Sequence, residues 1–98
     1  MSMALTGKQR RALRALGHHL QPVVQVGHDG VTPGVVAAVE QALWDHELVK
    51  IKVASDGPDE RLEAADKLAT ATGAEVAQVL GRTVLLYKAN PDEARIQI

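Results

Sequence analysis

The 98-residue chain contains no cysteine and no phenylalanine, and its aromatic complement is one tryptophan, Trp44, and one tyrosine, Tyr87. Without thiols, a disulfide scaffold, a thiolate metal site and cysteine catalysis are excluded together. No apolar stretch approaches the ~18 residues of a membrane-spanning helix. The segment from Met1 to Thr6 also lacks the apolar centre of a signal peptide. These absences predict a cytoplasmic protein without membrane attachment. What is present is 46% hydrophobic and 23% charged, enough for one domain over residues 1–98 with an unusually aliphatic core.

Charge of one sign is also missing from the first part of the chain. No acidic residue precedes Asp29, while Lys8, Arg10, Arg11 and Arg14 stand close together. The balance then inverts: Asp56, Asp59, Glu60, Glu63 and Asp66 face a single cation, Arg61. A net charge of −1 therefore hides a dipolar surface, basic at one place and acidic at another. On charge alone, two solvated helix faces account for the pattern equally well.

Periodicity and punctuation give the element order. Thr6 suits a helix N-cap and Gly17 a stop, with Ala12, Leu13 and Leu16 on one arc and Lys8, Arg10, Arg11 and Arg14 on the other. Pro22 ends any helix, and Val23–Val26 reads as a strand running into the turn Gly27-His28-Asp29-Gly30. Thr32-Pro33 opens a second helix that continues to about His46. Leu48–Ala54 alternates as a strand, with Lys50 and Lys52 on the side opposite Val49, Ile51 and Val53. A third helix, with Asp59 and Glu60 in its first turn, carries Leu62, Ala65, Leu68 and Ala69 inward and stops at Gly73. Val76–Leu80 and Thr83–Lys88 flank Gly81-Arg82 and read as a hairpin. The tail, residues 89–98, carries weak signals and is expected to fray. The fold class is therefore α/β of the α+β two-layer type, α-β-α-β-α-β-β, with a four-stranded mixed sheet whose strand order stays open.

Enzymatic constellations find little support. The serines are Ser2 and Ser55, one near a terminus and one in a turn, and neither Gly-rich nucleotide motif occurs. His18, His19, His28 and His46 lack the spacing of a helical metal pair. The acidic cluster reads as an ordinary solvated helix face, so neither a catalytic residue nor a cofactor is expected. The informative place is Gly27 to Gly30. A glycine turn ahead of a helix exposes backbone N–H groups at the positive end of the helix dipole, and glycine lets a phosphate backbone approach the main chain. The same glycines could simply make a strand-to-helix turn, and GxxG alone is a weak motif. Basic residues elsewhere (the first helix, Lys50, Lys52 and Arg82) strengthen the anion-binding reading. So few aromatics favour gripping backbone and shape over stacking bases.

At this point the residues match a family. Leu5-Thr6-Gly7-Lys8-Gln9-Arg10, Leu20-Gln21-Pro22-Val23-Val24, Val26-Gly27-His28-Asp29-Gly30-Val31-Thr32, Glu47-Leu48-Val49-Lys50-Ile51-Lys52-Val53 and Val79-Leu80-Gly81-Arg82-Thr83-Val84-Leu85-Leu86-Tyr87 follow in order. Together they resemble the CRM (chloroplast RNA splicing and ribosome maturation) domain over about residues 5–88, and within it the stand-alone bacterial YhbY-like members. The resemblance implies a fold similar to the C-terminal domain of translation initiation factor three. It also implies binding of RNA and association with precursors of the large ribosomal subunit; the expected partner is ribosomal RNA or such a precursor, bound by a monomer without DNA specificity. The site it implies joins Gly27, His28, Asp29 and Gly30 to Lys8, Arg10, Arg11, Arg14, Lys50 and Lys52, with Arg82 added from the hairpin. Asp29 repels a phosphate if its side chain faces outward and stabilises the loop if it turns inward. Two other classes stay open: a module docking a basic ribosomal protein on the acidic helix, and a small phosphate-binding enzyme.

Overall fold

Thr6 begins the first helix through a reciprocal cap. Its hydroxyl accepts the Gln9 N–H at 3.1 Å, and the Gln9 side chain accepts the Thr6 N–H at 3.0 Å. The computed structural model describes residues 5–57 and 59–98, in the order α1 (Gly7–Gly17), β1 (Pro22–Val26), α2 (Pro33–His46), β2 (Leu48–Val53), α3 (Arg61–Thr72), β3 (Glu75–Leu80) and β4 (Thr83–Tyr87). Thr32 caps α2 by accepting the Val35 N–H at 3.1 Å, with Pro33 at the first helical position. Gly73 closes α3 at φ 75°, a conformation that favours glycine.

The four strands form one mixed sheet in the order β1-β2-β4-β3. β1 and β2 are parallel, and β4 pairs antiparallel with both β2 and β3. The last strand therefore inserts between β2 and β3 rather than extending an edge. Val49, Ile51 and Val53 of β2 join Val39 and Leu43 of α2 and Ala64, Ala65 and Leu68 of α3 in the main core. Residues of opposite parity, Leu48 on β2 with Leu85 and Tyr87 on β4, pack against Leu13 of α1. Successive strand residues point to opposite faces, so α2 and α3 form the expected helical layer while α1 covers part of the other face. Lys50 and Lys52 share the α1 face.

Several local expectations change in three dimensions. Gly17 is not a stop but the last residue of α1. A Cβ there would lie 2.7 Å from Leu85, so glycine permits close helix–sheet packing. Leu16 and Leu62, both expected inward, are 50% and 58% exposed. In α3 the buried residues are Ala64, Ala65, Leu68 and Thr72, and at 3.6 residues per turn Leu62 lies roughly 100° from the centre of that arc. Asp59 is not in the first turn of α3 either, because Glu60 is the N-cap, accepting the Leu62 N–H at 3.0 Å. The tail, expected to fray, is tied down. Glu47 is wholly buried, and its carboxylate accepts the N–H groups of Asn90, Arg95 and Ile96 at 2.7, 2.6 and 2.9 Å.

Candidate nucleic-acid interface

Parallel pairing puts the C-terminal ends of β1 and β2 at the same end of the sheet. The β3–β4 hairpin tip joins them there, since the Val53 N–H donates to the Arg82 carbonyl at 2.7 Å. This end carries the Gly27–Gly30 loop. Gly27 accepts the Gly30 N–H at 3.0 Å, and Gly30 has φ 75°, which a residue with a Cβ adopts only under strain. Gly27 is different: its φ is not positive, and a Cβ there would meet no described atom within 4 Å. The space beside it is open.

What holds the loop is a residue 28 positions later. Asp59, 8% exposed, accepts the Val31 N–H through Oδ2 at 2.8 Å, and its Oδ1 is paired with the Lys67 ammonium. The Lys67 ammonium first, and then the Val31 N–H, hold the Asp59 carboxyl below its ordinary range, while Asp59 raises Lys67 in return. One member of the acidic cluster is therefore a loop anchor and not a solvated charge. Gly57 completes the support: a Cβ there would stand 2.5 Å from the Gly27 carbonyl. The expectation of several outward backbone donors narrows accordingly, because the N–H groups of Gly30, Val31 and Val35 are all satisfied within the protein. Sequence reasoning missed Gly57, Asp59 and Lys67. Asp59 carried a signal, an acidic residue after a turn, but it pointed equally well to the helix beside it.

His28 and Asp29 are exposed at the loop tip. His28 lies 3.8 Å from Asp56, with both side chains largely in solvent. Asp29 makes no side-chain hydrogen bond among the described residues; the inward carboxylate is Asp59 instead. Arg82 is exposed at the hairpin tip, next to Arg61, whose guanidinium donates to the Gly81 carbonyl at 2.9 Å. Arg61, set aside in the sequence as a lone cation among acids, thus sits with Arg82.

The basic residues of α1 divide. Arg14 lines a cleft together with Lys50, and Lys52 is exposed one step nearer the loop end. Lys8 and Arg11 are exposed. Arg10 is half-buried, donating to the Val76 carbonyl near the start of β3, at the sheet end away from the hairpin tip. It is a structural contact as well as a charge. Acidic Glu63 and Asp66 are exposed on α3, in the layer across the sheet from α1.

A family model, the CRS1 / YhbY (CRM) domain, matches residues 5–88. The chain belongs to this family. It is 42% identical over 89 residues to the Pseudomonas aeruginosa protein named "Probable RNA-binding protein PA4753", covering 91% of this chain and 86% of that one. Bacillus subtilis "Probable RNA-binding protein YqeI" is 34% identical over 94 residues, covering 96% of this chain and 98% of that one. A Haemophilus influenzae protein named "RNA-binding protein" is 39% identical over 94 residues, 96% of this chain and 94% of its own. The solution structure of Staphylococcus aureus SAV1595 shares the fold, with a TM-score of 0.75 and 35% identity over 93% of this chain and 99% of that one. The α+β order and the mixed sheet are thus those of a CRM domain.

Proposed function

We propose that this CRM-domain protein binds RNA, specifically ribosomal RNA in precursors of the large subunit, and aids their assembly without catalysing a reaction. It acts as a cytoplasmic monomer and needs no cofactor. The observation that carries the reading is the open space at Gly27. No described atom explains the missing side chain, whereas close approach of a phosphate backbone does. The loop adjoins the N-terminus of α2, and Arg82, with Arg61 bonded beside it, stands on the hairpin tip at the same end of the sheet. Lys50, Lys52 and Arg14 continue the positive surface over the α1 face, where phosphate contacts orient the RNA. Relatives named as RNA-binding proteins support RNA as the partner.

The test is sedimentation of tagged protein with ribosomal particles at low and high salt, before and after nuclease treatment. Direct RNA binding predicts co-sedimentation with large-subunit precursors that fades as salt rises and disappears after nuclease. Association that survives nuclease overturns the proposal and makes the acidic α3 a docking face for a basic protein.

A further inference from the structure

The cleft between α1 and the sheet holds more than a backbone-gripping surface requires. Its lining includes Arg14, His18, Lys50, Gln78, Leu80 and Thr83, with no carboxylate, and its volume is about 360 Å3. That is within the roughly 300–1,000 Å3 usual for small-ligand sites. Its apolar part is equally marked, since Leu80 is 65% exposed. Bare phosphate would need only the cations. A cleft that sets two cations beside uncovered apolar surface suits a ligand with an anionic part and a flat, weakly polar part.

His18 supplies the matching ring. It is exposed and meets His19 edge to face, with centroids 5.2 Å apart and planes at 78°. In that arrangement neither ring has both faces covered by its partner. Histidine is among the side chains on which unpaired bases stack. Trp44, 50% exposed, is the rival platform in a pocket with Lys88. There, however, the Lys88 ammonium already donates to the Thr72 carbonyl at 2.7 Å, and Glu40 adds a negative charge.

We infer that the α1–sheet cleft is a subsite for one unpaired nucleotide, its phosphate held by Arg14 and Lys50 and its base resting on Leu80 and the His18 ring. The inference rests on the RNA-binding reading above and adds strand selectivity to it. A base engaged in a duplex is stacked and cannot enter, so single strands are favoured although the chain has no phenylalanine.

The experiment is a fluorescence-anisotropy titration of a labelled single-stranded RNA 12-mer and of the same strand annealed to its complement. It uses wild type, His18→Ala, Leu80→Ala, His18→Phe and Lys50→Gln, each checked for folding by circular dichroism. The wild type is expected to prefer the single strand. His18→Ala and Leu80→Ala should each weaken that binding about fivefold, the low end of base-stacking effects, and leave the duplex affinity unchanged. His18→Phe should preserve it, because a larger ring still stacks. Lys50→Gln should flatten the single-strand salt slope by about 0.7. Emission from Trp44 should not change on saturation, because α2 lies across the sheet from α1. Equal affinity for both RNAs, alanine variants with wild-type single-strand affinity, or a large Trp44 response overturns the subsite while leaving RNA binding in place. A wild type that binds neither RNA overturns the RNA reading itself.

Discussion

Replacing Glu47 by glutamine tests whether a single buried carboxylate organises one end of the molecule. Its Oε1 accepts two backbone N–H groups, of Arg95 and Ile96, and its Oε2 accepts a third, of Asn90. Burial, the largest single influence, pushes this carboxyl up. The three donors and the Arg95 charge together outweigh it and leave the group below its ordinary value of 4.5. An amide keeps one oxygen, so at least one donor must face an NH2. Leaving a buried donor unpaired costs about 1–3 kcal/mol, and bonds to a neutral acceptor are weaker than those to a charge by about 1 kcal/mol each. With one donor unpaired and two bonds weakened the sum is about 4 kcal/mol, which lowers the Tm of a domain this size by roughly 20 °C. If the tail can detach alone, the loss in Tm is smaller and appears instead as fast hydrogen exchange at Asn90, Arg95 and Ile96. Thermal melting with residue-resolved exchange reads both. The pH dependence of stability has a definite sign. A folded-state value below the unfolded one means that the stabilisation is complete above pH 4.5 and is lost as pH falls through the folded value. The glutamine variant should lack that component. Unchanged melting, exchange and acid response would refute the account of the tail.

The remaining predictions concern the loop and α1. Gly30→Ala should cost about 1 kcal/mol for a Cβ at positive φ and weaken RNA binding, so an unchanged Tm would mean that the loop turns without strain. Asp29→Asn should tighten RNA binding by up to about fivefold at low salt, the gain shrinking as salt rises; titration at two ionic strengths checks it, and a fall in Tm would show that Asp29 supports the loop after all. Arg10→Gln should lose about 1 kcal/mol with its bond to Val76, whereas Arg14→Gln should alter stability by no more than about 0.5 kcal/mol and flatten the single-strand salt slope by about 0.7. Equal stability losses at the two positions, measured by urea unfolding, would contradict their different settings.

Elements that announce themselves locally were legible. Thr6 and Thr32 cap as their positions suggest, Pro33 starts α2, Gly73 ends α3, and Gly81-Arg82 turns the hairpin, because each depends on neighbours only a few residues away. What escaped depends on distant partners. Gly17 resembles a helix stop until Leu85 is seen against it. Arg10 resembles a free surface charge, yet its partner, the Val76 carbonyl, is 66 positions away. Asp59 is an acid that local pattern assigns to a helix end, and nothing local marks Glu47; only the fold brings backbone N–H groups to them. The candidate loop itself was legible from its glycines, but not the scaffold that shapes it.

That scaffold has a consequence for the order in which the protein is made. The loop is complete in sequence once Gly30 has been synthesised, but its Val31 anchor arrives with Asp59, and the partner of Asp59 arrives with Lys67. A nascent chain ending within α2 carries all four loop residues and none of their support. The glycine loop therefore cannot take its final shape on the emerging chain until most of α3 has followed it. Truncation before Lys67 should leave a peptide with the motif intact and the site unformed.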